Sequence, residues 1–248
     1  MLNIIKSYAK INLFLNVVNK LDTGFHELNS VLSRIDLYDE IRIKDESSFS
    51  ISYNGPFGDQ VGSNDHISKL FNYLIDKNYL KQKSFAIHVV KNIPVGSGLG
   101  GGSSNVAEII KYLIRSNLLD NSSSTEIARD LGSDIEFFID EGSALISGKG
   151  NVEERLKINS DKHFLIVFPN VQNSTKDIFN KHSNLSGEKF SYNKDTNLDG
   201  ILKGTSNELE KTALLANQEM KKIREYLDND ITVSYTHRRC RRLLECRS

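Results

Sequence analysis

The chain has 248 residues, 38% hydrophobic and 26% charged, with 32 basic and 32 acidic side chains. That is enough apolar material for one large core or two modest ones. No apolar run approaches the ~18 residues of a membrane helix. The start, MLNIIKSYAK, lacks the long apolar segment and small-residue cleavage site of a secretory leader, so the expectation is a cytoplasmic protein without a membrane partner.

In chain order, Ile11, Leu13, Leu15 and Val17 alternate with Lys10, Asn12, Phe14 and Asn16. This period of two predicts a strand with Lys10 and Asn12 on one face. DTGF at 22–25 reads as a turn, and ELNSVLSRIDLYDEIRI contains further strand-like runs. Ile67, Leu70, Phe71, Leu74 and Ile75 fall at helical spacing. Phe85, Ile87 and Val89 alternate in a strand that Pro94 ends. From Val106, apolar residues at 106, 109, 110, 113 and 114 form one helical face, with Glu108, Lys111 and Arg115 opposite. Ser123 and Glu126 have the spacing of a capping box for a short helix that Gly132 ends. HFLIVF at 163–168 predicts a strand, 181–198 a polar surface loop, and NELEKTALLANQEMKKIREYL one helix. A domain boundary is expected near residue 155.

Between the strand and the helix lies NIPVGSGLGGGSSN, with five of the chain's 16 glycines at positions 96–102. A helix N-terminus with free N–H groups binds phosphate, and glycines let the backbone approach the anion. The alternative is a glycine-rich turn with no ligand. A Walker A loop would need a lysine after its last glycine, and there is none. GSGLGG also fits a dinucleotide fingerprint with Asp120 ~20 residues on, but no clear strand precedes Asp120. Protein-kinase signatures are absent.

PVGSGLGGGSSN resembles the phosphate loop of the GHMP kinases. Three further segments follow that family in order and spacing: AKINLFL at 9–15, GFHEL at 24–28 and LGSDIEFFI at 131–139. Within the family, the resemblance is to the branch that acts on a cytidine-diphosphate sugar alcohol in isoprenoid biosynthesis. It implies an α+β, two-domain fold. Residues 1–155 would form a ribosomal-protein-like nucleotide-binding domain, and 156–232 an incomplete ferredoxin-like domain. It also implies ATP and Mg²⁺ as cofactors, a small-molecule substrate and transfer to an alcohol. Pro94, Val95, Gly96, Ser97, Gly98, Leu99, Gly100, Gly101, Gly102, Ser103 and Ser104 would wrap the ATP phosphates. The two serines would contact phosphate or metal, or else simply cap the helix. Asp134 maps to the catalytic aspartate and Lys10 to its lysine partner. Asn12, Phe25, His26, Thr175 and Phe179 map to substrate contacts, with Phe25 and His26 meeting the cytosine by stacking and hydrogen bonding and Phe179 on its other side. His66, His88 and His163 lack metal-ligand spacing and read as structural.

Two departures from the family stand out. Glu136 follows Ile135 where a proline is common, and Asp65 stands where an asparagine is frequent near the adenine. A third glycine-rich motif is missing near the C-terminus. Residues 233–248 carry five arginines, no lysine, one acid and both cysteines, Cys240 and Cys246. The rest has 21 lysines to six arginines and 31 acids to 27 bases, a net charge of −4 that argues against a nucleic-acid partner. The abrupt change at 233 predicts a tail foreign to the native protein; the rival reading is a basic arm for an acidic partner.

Overall fold

The computed structural model describes residues 3–22, 24–62, 65–81, 84–158, 163–168, 175–182, 185, 189, 198–204, 207–230, 235–237 and 241–245. Side chains at 3, 175, 176, 199, 203, 204 and from 228 onward lie outside the description. The chain groups into two compact units, one of Met1–Lys10 with Arg34–Glu141 and one of Ile11–Ser33 with Gly142–Ser248. Two long strands, β1 (Asn3–Lys20) and β2 (His26–Asp45), each pass from one unit into the other.

The first unit adds β3 (Ser50–Asn54), α1 (His66–Asp76), β4 (Phe85–Val90), α2 (Gly101–Arg115), α3 (Ser124–Leu131) and α4 (Ser133–Ile139). β4 pairs antiparallel with the end of β2, placing Ile41 opposite Val89 and Ile43 opposite Ile87, and parallel with β3. The alternation read from the sequence is realised: Phe85, Ile87 and Val89 are buried on one face. Phe85 stands 5.6 Å from Phe71 of α1 and 6.4 Å from Tyr112 of α2. Ile67, Leu70 and Leu74 of α1 and Val106, Ile109, Ile110 and Leu113 of α2 are buried as the helical spacing requires.

Local details depart from the expectation. Ser123 makes no side-chain cap; Asp120 instead accepts from Ser122 N at 3.0 Å and starts a 3₁₀ turn, Asn121–Ser123, ahead of α3. An aspartate placed one turn earlier reaches the free N–H groups first. Glu108 is buried rather than solvated, held by Lys111 one turn on, whose pKa burial lowers.

In the second unit, the first half of β2 pairs antiparallel with β5 (Ser143–Gly148), which pairs with β6 (Asn151–Leu156). β7 (Phe164–Ile166), α5 (Thr175–Lys181), α6 (Leu198–Gly204), α7 (Leu209–Ala216) and α8 (Gln218–Asp230) follow. Leu15, Val17, Ile178, Leu209, Ala213 and Met220 form a core there. The single helix read over 207–227 is two, because Asn217 leaves helical φ/ψ and its side chain accepts from Glu219 N (3.1 Å) and Met220 N (3.2 Å). Within 233–248, β8 (Tyr235–His237) and β9 (Arg241–Glu245) are described; β9 pairs antiparallel with β7 and β8. Cys240, Cys246 and most of the polar stretch 181–198 lie outside the described residues.

Leu70 is fully buried and Leu215 is 76% exposed. Leu70→Ala is expected to cost about 2–5 kcal/mol in urea unfolding, while Leu215→Ala stays within about 0.5 kcal/mol of the parent.

Candidate active site

β4 ends at Val90, and after ten intervening residues the 15-residue helix α2 begins. Its first residue is Gly101, two earlier than the paired serines suggest. The N-cap is Gly100, at φ 73°, which provides no side-chain cap. The helix terminus therefore keeps its N–H groups and its positive dipole end for a ligand. Gly96 and Gly98 also take positive φ, 69° and 77°, conformations that a glycine adopts without strain. Pro94, Ser97 and Leu99 are buried, Val95 is half-buried and Gly96 is exposed. What these positions offer an anion is mainly backbone.

The two serines do not act as caps, because both lie inside the first turn. Ser104 is buried and accepts a hydrogen bond from Ser7 Oγ at 2.8 Å. Ser103 is half-buried, the more accessible of the pair. His66 packs against the loop: a Cβ on Gly102 would sit 3.3 Å from its ring. Asp65 caps α1, accepting from Ser68 N at 2.7 Å, and a Tyr53 hydrogen bond to it helps burial hold the Tyr53 phenol protonated.

Lys10 is not a solvated strand lysine. Its side chain is 5% exposed, and its Nζ lies 3.6 Å from Asp134 Oδ2. Its backbone N–H donates to Leu99 O at 2.9 Å, so β1 is fastened to the glycine loop at this residue. Asp134 lies in the first turn of α4, with 43% of its side chain open to solvent. The helix that carries it is fixed at several points. Arg34 Nη2 donates to Phe138 O at 2.8 Å and also to Asp140 O, satisfying carbonyls at the C-terminal end. Glu136 is buried and engaged by Arg129 of α3, at 3.1 Å from Nε and 2.7 Å from Nη2. The second carboxylate in this segment is thus tied to α3 through Arg129. Phe138 packs beneath Gly100.

In the second unit, His26 stacks on Phe179 with ring centroids 5.1 Å apart and planes 26° apart. Phe25 is 60% exposed, with Lys149 Nζ 5.0 Å from its ring centroid. Asn12 is buried and donates to Ser30 Oγ at 2.7 Å. Thr175 opens α5; its side chain lies outside the described residues. Among the described residues, no three or more His, Cys, Asp or Glu side chains gather into a metal site. His88 pairs with Ser52 Oγ at 2.9 Å.

Residues 65–145 match the family "GHMP kinases N terminal domain". The 4-diphosphocytidyl-2-C-methyl-D-erythritol kinase of Pelagibacter ubique is 36% identical over 229 residues, covering 90% of this chain and 81% of the relative. The chain belongs to the 4-diphosphocytidyl-2-C-methyl-D-erythritol kinase family of GHMP kinases. The enzyme of that name from Prochlorococcus marinus is 38% identical over 183 residues, 73% of this chain; the chain spans 59% of that relative's length. A crystal structure of 4-(cytidine 5'-diphospho)-2C-methyl-D-erythritol kinase shares the fold, with a TM-score of 0.74, 24% identity, and coverage of 92% of this chain and 83% of that one. The α+β GHMP kinase fold expected from the four segments is the one observed.

Within this family fold, the sequence reading missed the supporting residues: Arg34, Arg129 and the buried Asp39 and Lys91. Arg34 and Arg129 stand among ordinary charged residues in the sequence, and only burial distinguishes Asp39 from its neighbours Asp36 and Glu40. Gly100 supplies a test of the loop. A Cβ there would lie 2.8 Å from Phe138 Cε2 and 3.2 Å from Lys10 Cγ, on a backbone with φ 73°. Left-handed strain alone costs roughly 1–2 kcal/mol. Gly100→Ala is expected to lower the melting temperature by several degrees in scanning calorimetry, whereas Gly62→Ala, with open space around its Cβ position, leaves it unchanged.

Proposed function

We propose that this chain transfers the γ-phosphoryl group of ATP to a hydroxyl of 4-diphosphocytidyl-2-C-methyl-D-erythritol, in the cytoplasm, as a step of isoprenoid biosynthesis. The observation that carries the proposal is the Lys10–Asp134 pair, 3.6 Å apart, with Lys10 on a strand fastened to the uncapped glycine loop and Asp134 in the first turn of α4. Phosphoryl transfer asks a protein mainly to position its reactants and stabilise charge. The open N-terminus of α2 and the glycine backbone hold the triphosphate. Asp134 accepts the proton of the substrate hydroxyl as its oxygen bonds to the γ-phosphorus and the bond from γ-phosphorus to the bridging β–γ oxygen breaks; ADP leaves with that electron pair. Lys10, its side chain 5% exposed and its Nζ 3.6 Å from Asp134 Oδ2, offsets charge developing on the transferring group.

Bound with the nucleotide, Mg²⁺ would neutralise phosphate charge. Ser103, half-buried in the first turn of α2, is the protein hydroxyl that would contact it there. The cytosine is recognised in the second unit. Phe25 offers an exposed ring face, Phe179 flanks the base, and His26, braced by its stacking on Phe179, supplies hydrogen bonds at the base edge.

Asp134→Asn keeps the shape of the side chain and removes the base. Lys10→Met removes the ammonium. Each is expected to lower kcat by at least ~10²-fold, measured as ADP release with the cytidyl substrate, and Asp134→Asn should still bind ATP. Near-normal turnover in Asp134→Asn would remove Asp134 from the mechanism. For His26→Ala, KM for the cytidyl substrate should rise roughly tenfold or more, in line with a lost buried hydrogen bond, while KM for ATP stays within about twofold; parallel changes in both would assign His26 a structural role.

A further inference from the structure

We propose that Asp39 and Lys91 form a buried clasp that positions the phosphate loop by gripping both of its ends. This inference rests on the loop's proposed role in binding ATP phosphates. Asp39 is fully buried on β2, and the Lys91 side chain, directly after β4, is 4% exposed; the two form an ion pair. The same carboxylate collects the backbone on both sides of the glycines. Its Oδ1 accepts from Asn92 N and Ile93 N, each at 2.8 Å, just ahead of the loop. With the Asn105 amide in the orientation that satisfies its neighbours, its nitrogen faces Asp39 Oδ2 at 3.1 Å, Gly101 O at 3.0 Å and Ser7 Oγ at 2.7 Å. The Ser7 hydroxyl then donates to Ser104. Lys91 Nζ lies beneath the helix start, 3.2 Å from where a Gly101 Cβ would be.

Stability alone does not call for such a pair, because well-packed apolar replacements of buried ion pairs are often neutral or stabilising. What an apolar pair could not do is bind the N–H groups of 92 and 93 and, through Asn105, the carbonyl of 101. Between those anchors run seven residues, 94–100, three of them glycines at positive φ. Fixing both ends leaves less backbone to order when the triphosphate binds. Asp39 and Lys91 touch no reacting atom in this scheme; they are positioning residues that act through the loop.

The test uses the full chain and a non-hydrolysable ATP analogue with Mg²⁺. Asp39→Asn combined with Lys91→Met removes both charges at nearly constant volume. Expected is a folded protein whose dissociation constant for the analogue rises at least ~10-fold, with KM for the cytidyl substrate changed less than about twofold. A folded double variant with parental analogue affinity would overturn the clasp and leave the kinase reading standing. A parent chain that fails to bind the analogue would overturn the kinase reading, and the clasp with it. Hydrogen exchange on the parent chain decides independently of whether the variant folds. Amides of Asn92 and Ile93 should be protected without nucleotide, and those of 96–100 should become protected only when it is added. Fast exchange at 92 and 93 in the nucleotide-free chain would sink the proposal.

Discussion

A helix that begins on glycine leaves its first N–H groups without a side-chain partner, and the first unit is organised around that open terminus. Most helices satisfy these groups with Ser, Thr, Asp or Asn at the N-cap; α1 does so with Asp65, while α2 starts from Gly100 and does not. An anion is the remaining partner of comparable strength. The elements that reach this terminus do so through specific contacts: β1 through Lys10 N to Leu99 O, α4 through Phe138 beneath Gly100, and α1 through His66 beside Gly102.

Burial of charge is the second theme. Lys10, Lys91, Asp39, Glu108 and Glu136 are all less than a tenth exposed. An ionised group in such surroundings is costly unless paired and hydrogen-bonded, and each one here has an opposite charge: Asp134, Asp39, Lys91, Lys111 and Arg129 respectively. Among these pairs, Lys10–Asp134 is the one that joins a buried cation to a carboxylate nearly half open to solvent. That asymmetry suits chemistry, because the anion can meet a substrate hydroxyl while the cation is held in a poorly screened interior.

The supporting residues belong to the same logic. Arg34 ties down the carbonyl end of α4, Arg129 takes up Glu136, and Asp39 collects the backbone on either side of the loop. They act at one remove from any ligand, by limiting the positions that Asp134 and the glycines can occupy. Preorganisation of this kind makes electrostatic stabilisation effective, since little reorganisation remains when charge develops.

Much of this was legible in the amino-acid sequence, for a local reason. Alternation in β1 and β4 and the 3.6-residue period in α1 and α2 are properties of neighbouring residues, and the glycine run marks its own loop because few other residues accept positive φ. The four ordered segments also carried the family and its fold. Caps and breaks were less legible: Asp120 forestalled the Ser123 box, and Asn217 split α7 from α8 by binding their backbone with its side chain. What only the tertiary structure decided is which charges are buried and what they face. Asp39 lies 52 residues from Lys91, Ser7 97 from Ser104, and Arg34 104 from Phe138. No periodicity encodes such partners, because they are brought together when distant strands and helices pack into one core.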